Sequence, residues 1–211
     1  MKITCKTTLL PPPMTVCTFT TTADAPCAGI YSAPLADGHD TVTIDWGDGT
    51  VERVPFVWKL IHTYAAPGTY EARISDDVKS ISMSAERAVN EFNKKCSEQF
   101  RAFRSDATLL KELTRFGFAF SPNLTTLDVS QIPAPAIPLS LCIKSTNLSG
   151  RLDFPSVTDI AGSANTQPFS DCEGALEIHF AEHNRTAIEA TEAYQSDPKL
   201  GAANAVVSFD L

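Results

Sequence analysis

The residues that most suggest chemistry lie between positions 45 and 49, where Asp45-Trp46-Gly47-Asp48-Gly49 sets two carboxylates beside two glycines. Such a group can be a pair of catalytic carboxylates, part of a calcium site or a reverse turn. A catalytic pair needs a pocket and an acid whose pKa is displaced, and the neighbouring sequence supplies no such acid. We therefore predict no catalytic residue in this segment.

The choice between calcium and a turn depends on how many oxygen ligands are available. Ca²⁺ takes about six to eight oxygens, whereas Asp45 and Asp48 offer two carboxylates without the D-x-D-x-D spacing of a calcium loop. A turn needs nothing more, because Asp side chains accept hydrogen bonds from nearby backbone N–H groups and glycine adopts dihedral angles that other residues avoid. We interpret Asp45, Gly47, Asp48 and Gly49 as a structural turn, and calcium bound by the two aspartates is the alternative.

The histidines do not form a metal-binding pattern. His179 and His183 are four residues apart, but "HFAEH" is expected to be a strand that leads into a turn, where side chains alternate. We expect His62 to bond to a loop backbone, and His39 has no partner motif. The sequence also lacks G-x-S-x-G, H-E-x-x-H and a phosphate-binding glycine loop. We therefore predict neither an enzyme nor a cofactor.

The turn is flanked by strand patterns. Val42, Ile44 and Trp46 fall on one face of the alternating run "TVTIDW". Asp48-Gly49 then provides a strong hairpin signal, because both turn residues can require positive φ.

Further strand patterns lie on either side of this hairpin. "TVCTFTTT", from residue 15, is rich in β-branched residues. Pro67-Gly68 resembles a type II turn between two more strands. Four or more short strands with a turn about every 10 residues predict a small antiparallel sandwich.

Two of these motifs together resemble a protein family. "IDWGDGT" followed by "HTYAAPGTYEARIS" is similar to the paired signature of PKD-type immunoglobulin-like domains, in which a W/F-G-D-G turn precedes H-x-Y-x-x-P-G-x-Y. The resemblance implies an immunoglobulin-like β-sandwich over residues 1–82. It also implies a role as a spacer or binding module, and some PKD-like domains bind calcium.

The period of the apolar residues changes after residue 82. From Ser84, a reasonable helix N-cap, apolar residues recur at steps of three and four. The pattern predicts an amphipathic linking helix within residues 83–108, whose charged face is solvated or, alternatively, binds a partner. Its apolar positions are Ala85, Val89, Phe92, Cys96, Phe100 and Phe103.

Residues 109–211 repeat. "NLTTLDVS", "NLSGRLDFPSVTDIAG" and "ALEIHFAE" align Leu127, Leu152 and Ile178 at steps of 25 and 26 residues, within the range of leucine-rich repeats. The units resemble the leucine-rich repeats of bacterial surface antigens, which implies a short, degenerate solenoid. A helix from Asn184 to about Gln195 and the strand "AVVSFDL" are expected to cap its C-terminal end.

Composition limits the possible partners. The net charge is −8 and the pI about 4.9, which argues against nucleic acid and against anionic membrane surfaces. No apolar run approaches the ~18 residues of a membrane-spanning helix, and no signal peptide is visible. The six cysteines lack C-x-x-C spacing, so we expect mostly free, buried thiols. One disulfide among Cys5, Cys17 and Cys27 is the alternative.

Together these patterns predict a mainly β fold with some α: an immunoglobulin-like sandwich, a connecting helix and a leucine-rich-repeat solenoid with a helix–strand cap. The expected function is non-catalytic, with the repeat surface binding a protein partner in adhesion or assembly. The resemblances suggest a bacterial surface protein with its leader removed, or a virion-associated phage protein, over a cytoplasmic one. The alternatives are a calcium-stabilised adhesin and a module for surface glycans, for which Tyr31, Phe56 and Trp58 would form an aromatic platform.

Overall fold

The structure is a computed structural model that describes residues 15–31, 41–55, 59–74, 80–82, 95–96, 98–105, 115–118, 121–132, 139–143, 146–162 and 166–211. The described residues form mainly β-structure with a few short helices, which confirms the expected class. The strands are β1 Thr15–Thr20, β2 Cys27–Tyr31, β3 Thr41–Asp45, β4 Val51–Pro55, β5 Lys59–Thr63, β6 Thr69–Ile74, β7 Ser80–Ser82, β8 Phe100–Ser105, β9 Arg115–Gly117, β10 Thr126–Leu127, β11 Leu139–Cys142, β12 Gly150–Phe154, β13 Ile160–Ala161, β14 Leu176–Phe180 and β15 Val206–Phe209.

These strands form three sheets. The first has the order β10-β8-β1-β6-β3-β4 and the second β13-β11-β9-β7-β2-β5. The third contains β12, β14 and β15, all parallel. Both six-stranded sheets combine antiparallel pairs among β1 to β8 with parallel pairs that each include a later strand, β9, β10, β11 or β13. Buried side chains from all three belong to one hydrophobic core.

The alternation in β3 confirms the prediction for this strand. Val42, Ile44 and Trp46 are fully buried, while the residues between them are partly exposed. Strands β3 and β4 pair in antiparallel register with Asp45 opposite Val51, so residues 46 to 50 form the connection. The connection is longer than the two-residue hairpin that the Asp-Gly signal suggested.

The prediction of a helix is wrong for the C-terminal part of residues 83–108. Phe100–Ser105 is strand β8, which pairs with β1. A bulge shifts this register: Phe103 lies opposite Cys17, but Phe100 lies opposite Phe19. The extra residue of a bulge turns a three-residue spacing into two side chains on the same sheet face, and this spacing imitates a helix. Of the earlier part of the predicted helix, positions 95, 96 and 98 are helical, and 83–94 lie outside the described residues.

One pair of cysteines departs from the expectation of mostly free thiols, and its pairing also differs from the predicted alternative among Cys5, Cys17 and Cys27. Cys27 in β2 forms a disulfide with Cys96, with the Cα atoms 5.3 Å apart. Because 69 residues separate them, no local spacing could reveal the pairing. Cys17 is a free, buried thiol. Cys172 is also buried, and its thiol donates to the Ile143 carbonyl. Cys5 lies outside the described residues.

The repeat alignment places two strands correctly. Leu152 and Ile178 lie opposite each other in the parallel pair β12–β14, as their alignment predicted. Leu127 lies instead opposite Phe103, because β10 pairs with β8. Residues that lie opposite each other are 26 positions apart in the pair β12–β14, as in Leu152 and Ile178. They are 29 positions apart in the pair β14–β15, as in Ile178 and Val207.

The C-terminal helix is divided. A 3-10 turn, Glu182–Asn184, precedes the helices Arg185–Glu189 and Glu192–Ser196. Asn184 does not cap through its side chain, whereas the Thr191 hydroxyl accepts a hydrogen bond from the Tyr194 N–H and caps the second helix. The predicted final strand is confirmed as β15. The predicted boundaries near residues 82 and 109 stay a prediction, and both six-stranded sheets contain strands from either side of them.

Candidate functional site

The acidic segment at positions 45 to 49 forms a turn held by its own carboxylates. Asp45 Oδ1 accepts a hydrogen bond from the Gly47 N–H at 2.9 Å, and Asp48 Oδ1 accepts one from the Thr50 N–H at 2.9 Å. The second oxygen of Asp48 lies 2.8 Å from His62 Nε2. Three of the four carboxylate oxygens are therefore hydrogen-bonded within the fold.

A series of stacked and edge-to-face aromatic rings packs against this turn. Trp46 is fully buried and stacks on His62 with 4.9 Å between ring centroids. His62 meets the edge of Tyr64 at 4.7 Å, and Tyr64 stacks on Tyr70 at 3.8 Å. The Tyr64 hydroxyl donates to the Trp46 carbonyl at 3.1 Å, so these rings are tied to the backbone of the turn.

The partner of His62 differs from the expected loop backbone. Its Nε2 bonds to the side chain of Asp48, because strand β5 brings the imidazole beneath the corner. Slight burial raises the pKa of Asp48, but hydrogen bonds from His62 and Thr50 outweigh this and bring the pKa below its ordinary value. Burial, reinforced by the Asp48 charge, raises the pKa of Tyr64 well above that of a free tyrosine, so its hydroxyl remains a donor.

Glycine is required in this turn for two different reasons. Gly47 and Gly49 have φ angles of +80° and +93°, in the region that other residues avoid. A Cβ at Gly47 would also lie 2.6 Å from the Glu71 carbonyl oxygen, whereas nothing lies within 4 Å of one at Gly49. The predicted glycine roles are confirmed, and Asp48 does not take positive φ.

The second predicted turn has another geometry. Gly68 does not have the positive φ of a type II turn, so that assignment for Pro67-Gly68 is wrong. The Gly68 N–H donates to Thr21 Oγ1 at 3.1 Å, and its carbonyl accepts from the Thr21 N–H at 2.8 Å. These contacts to a distant residue fix the backbone at position 68.

The turn does not gather ligands for calcium. Asp45 Oδ2 faces an Arg73 guanidinium nitrogen at 3.7 Å, which would compete with a cation. Within the described ranges, no three His, Cys, Asp or Glu side chains come together as a metal-binding group. Calcium at Asp45 and Asp48 therefore stays an untested alternative, and the geometry favours the structural turn.

A second group of polar residues lies on the outward face of the three-stranded parallel sheet. Register places Asp153 of β12 beside His179 of β14, and His179 beside Ser208 of β15. The alternate residues of the same strands, such as Ile178, belong to the core. We call Asp153, His179 and Ser208 the polar row.

The polar row resembles a catalytic triad in composition but not in geometry. Asp210 Oδ1 lies 2.6 Å from His179 Nδ1, and Ser208 Oγ lies 2.8 Å from the same nitrogen. In a hydrolase triad the serine bonds to Nε2 while the carboxylate holds Nδ1. His179 Nε2 instead faces Glu177 Oε2 at 3.8 Å. This histidine therefore cannot relay a proton from Ser208 in the manner of a triad.

The groups around the polar row present a mixed surface. Arg151 Nε bonds to Asp153 Oδ1 at 2.6 Å. Glu177 is 63% exposed, and Val206 beside it is 64% exposed. The hydrogen bond from His179 lowers the pKa of Asp210 against a small opposing effect of desolvation. The surface thus combines carboxylates, one guanidinium and an exposed apolar side chain.

The sequence contained a signal for this surface that was not used. Apolar-polar-Phe recurs as Leu152-Asp153-Phe154, as "IHF" in β14 and as "VSF" in β15. The middle residue of each triplet is the one in the polar row. The steps between the triplets are 26 and 29 residues, so a search at one fixed period does not find all three.

No family model matches the chain, and neither a curated protein nor a solved structure is similar to it. The resemblances to PKD-type domains and to leucine-rich repeats therefore stay predictions. The aromatic platform predicted for glycans also stays a prediction, since Phe56, Trp58 and the side chain of Tyr31 lie outside the described residues. No helix in the described part of the chain is long and apolar enough to span a membrane.

Proposed function

We propose that the protein is a non-catalytic binding protein that presents the outward face of the β12–β14–β15 sheet to a protein partner. In this proposal, the C-terminal half is a short leucine-rich-repeat solenoid. The N-terminal half is a PKD-like sandwich that supports the solenoid, since strands of both halves pair in the two six-stranded sheets. The observation that carries the proposal is the polar row, in which equivalent positions of three parallel strands share one outward face. His179 is buried within this row, while Glu177 and Val206 beside it are exposed.

The chemistry of this face supports binding over catalysis. Its histidine makes both close contacts through one ring nitrogen, an arrangement that differs from that of a hydrolase triad. Its core side is closely packed, with Phe154 stacked on Phe180 at 5.5 Å between centroids. Because the core side of this sheet is closely packed, the polar side chains on its outward face bind a partner with little loss of conformational entropy.

The disulfide supports a location outside the reducing cytoplasm. Disulfides persist mainly in secreted, periplasmic, cell-surface and virion proteins, and the Cys27–Cys96 bond joins β2 to a residue 69 positions away. A surface or virion protein would meet its partner in such an environment. We therefore favour adhesion or particle assembly as the setting for this binding face.

Site-specific photo-cross-linking tests the proposal. The protein would carry benzoylphenylalanine at Val206 or, as a matched control, at Val51, because these valines are 64% and 62% exposed in different sheets. Each version would be irradiated with surface extract from the source cells and analysed by mass spectrometry. We expect one dominant protein adduct from position 206 and none of it from position 51.

Two outcomes would refute the proposal. Equal adducts from both positions would mean that capture is nonspecific, and no adduct from position 206 would mean that this face is not a binding surface. Adsorption to insoluble cellulose or chitin, measured in parallel, would instead support the glycan-binding alternative.

A further inference from the structure

Strand β15 has one open edge. Among the described residues it pairs only with β14. The Asp210 N–H donates to the Phe180 carbonyl of β14 at 3.2 Å, and alternate N–H groups of a strand point to the same side. The N–H groups of Val207 and Phe209 therefore point away from β14. An open edge of this kind is a template for a further strand.

Exposed apolar side chains concentrate at this edge. Three large hydrophobic side chains are exposed among the described residues, and two of them, Val206 and Leu211, lie on β15 or just after it. The third, Val51, lies in the first sheet. Natural proteins usually protect open edges with charges or prolines. Asp210 is the single charged residue of positions 206 to 211, and the apolar residues around it indicate an edge that a partner covers.

Charge on the same side specifies what can cover it. Asp210 and Glu177 are 53% and 63% exposed, and they lie on the outward face beside Val206 and Ser208. The guanidinium of this face, Arg151, is on β12 and bonds to Asp153, so it lies two strands from the open edge. On the opposite side of β15, the Arg185 guanidinium lies 4.5 Å from the centroid of the Phe209 ring. The outward side of the edge therefore favours a positively charged neighbour at the level of Asp210.

We propose that β15 binds an extended, basic segment of a partner protein, which adds to the sheet as a fourth parallel strand. The three strands of this sheet are parallel, so an added strand that continues the stack has the same direction. Cross-strand neighbours then specify its outward residues: apolar beside Val206, small and polar beside Ser208, and Lys or Arg beside Asp210. The inference rests on the proposed function and names the partner segment for the same face.

Synthetic strand peptides test this pairing directly. The probe is a fluorescein-labelled peptide, TVTSTKT, whose Val, Ser and Lys occupy alternate positions, and its control is TVTSTET. Fluorescence anisotropy with the full chain would measure both affinities. We expect saturable binding of the Lys peptide and binding of the Glu peptide weaker by about tenfold or more, because like charges placed side by side oppose strand pairing.

Variants of the chain make the test specific to the edge. Val206→Lys is expected to weaken binding of the Lys peptide by about tenfold or more, whereas Val51→Lys, the matched exposed valine, should change it less than twofold. Asp210→Lys should reverse the preference between the two peptides. Because Asp210→Lys also removes a contact of His179, Asp210→Asn serves as a milder variant, which should abolish the preference without reversing it. Circular dichroism would verify the fold of each.

The results separate this inference from the proposed function. No binding of either peptide, equal binding of both, or equal effects of Val206→Lys and Val51→Lys would overturn strand addition at β15. If cross-linking at position 206 still captures a specific protein, the face binds by another mode and the proposed function stands. If neither assay detects binding, both are refuted.

Discussion

At the corner between β3 and β4, two glycines have positive φ but different surroundings. We expect Gly47→Ala to lower the free energy of unfolding by about 3 kcal/mol, because the strained φ costs ~1–2 kcal/mol and the new Cβ would meet the Glu71 carbonyl. Gly49→Ala carries the φ cost alone and should lose only about 1 kcal/mol. Urea denaturation of both variants measures this, and equal losses would contradict the proposed contact with residue 71.

The bond between Asp48 and His62 should make stability depend on pH. The pKa of Asp48 is lower in the folded protein than its ordinary value, so the folded state binds this proton less tightly than the unfolded state. The contribution of the ionised Asp48 carboxylate to the free energy of unfolding is present above the unfolded pKa of ~3.9. It is lost as the pH falls through the folded pKa.

Asp48→Asn should therefore lower the free energy of unfolding by about 1 kcal/mol at neutral pH. The difference from the wild type should close as the pH falls through the folded pKa of Asp48, below which the carboxyl is protonated in both states. Urea titrations across this pH range provide the measurement. A difference that is the same at both ends of the range would show that Asp48 stabilises the turn without its charge.

Calcium is not expected to change the melting temperature through a site at this corner. Three of the four oxygens of Asp45 and Asp48 already accept hydrogen bonds from Gly47, Thr50 and His62, and Ca²⁺ would need about six to eight oxygens. Melting temperatures in millimolar CaCl₂ and in excess chelator should agree. A clear rise with calcium that Asp48→Asn removes would instead support the calcium-stabilised adhesin.

At the scale of elements, the disulfide makes the largest single contribution that we can assign. Closing a loop of this length in the unfolded chain corresponds to about 4 kcal/mol. We expect the double variant Cys27→Ala/Cys96→Ala to lose roughly that much stability and to melt at the same temperature with and without reductant. The wild type should melt lower in reductant. If reductant has no effect on the wild type, the two cysteines do not form the bond.

The sequence predicts those elements of the fold whose pattern depends only on neighbouring residues. The alternation of Val42, Ile44 and Trp46 identified β3 because burial there follows the two-residue period of a strand. Phe100 and Phe103 misled the same reasoning, since a bulge gives strand β8 a three-residue spacing. A bulge is selected by pairing with a distant strand, which the local sequence does not encode.

The candidate site was predictable to a similar degree. The acidic turn was identified because aspartate and glycine carry their turn chemistry locally. The contacts of His62 with Asp48 and of His179 with Asp210 were not, because they join residues that are 14 and 31 positions apart in the sequence. The recurring apolar-polar-Phe triplets do encode the polar row, and a search that allowed unequal repeat lengths would have found it.

At the scale of the whole molecule, one core joins all three sheets, while the polar row and the open edge of β15 lie in the third. The N-terminal turns are fixed by hydrogen bonds within the fold, and their described residues form no metal-binding group. The C-terminal sheet presents exposed side chains on a rigid base. This division of roles leads us to assign support to the first half and contact to the second.

The most direct test of this account is the affinity of the protein that position 206 captures. Calorimetric titration would compare its binding to the wild type, to Val206→Lys and to Val51→Lys, all at the same salt concentration. The account predicts that Val206→Lys weakens binding by about tenfold or more and that Val51→Lys leaves it within about twofold. Unchanged affinity for Val206→Lys, or an equal loss for both, would contradict the claim that the third sheet is the binding face.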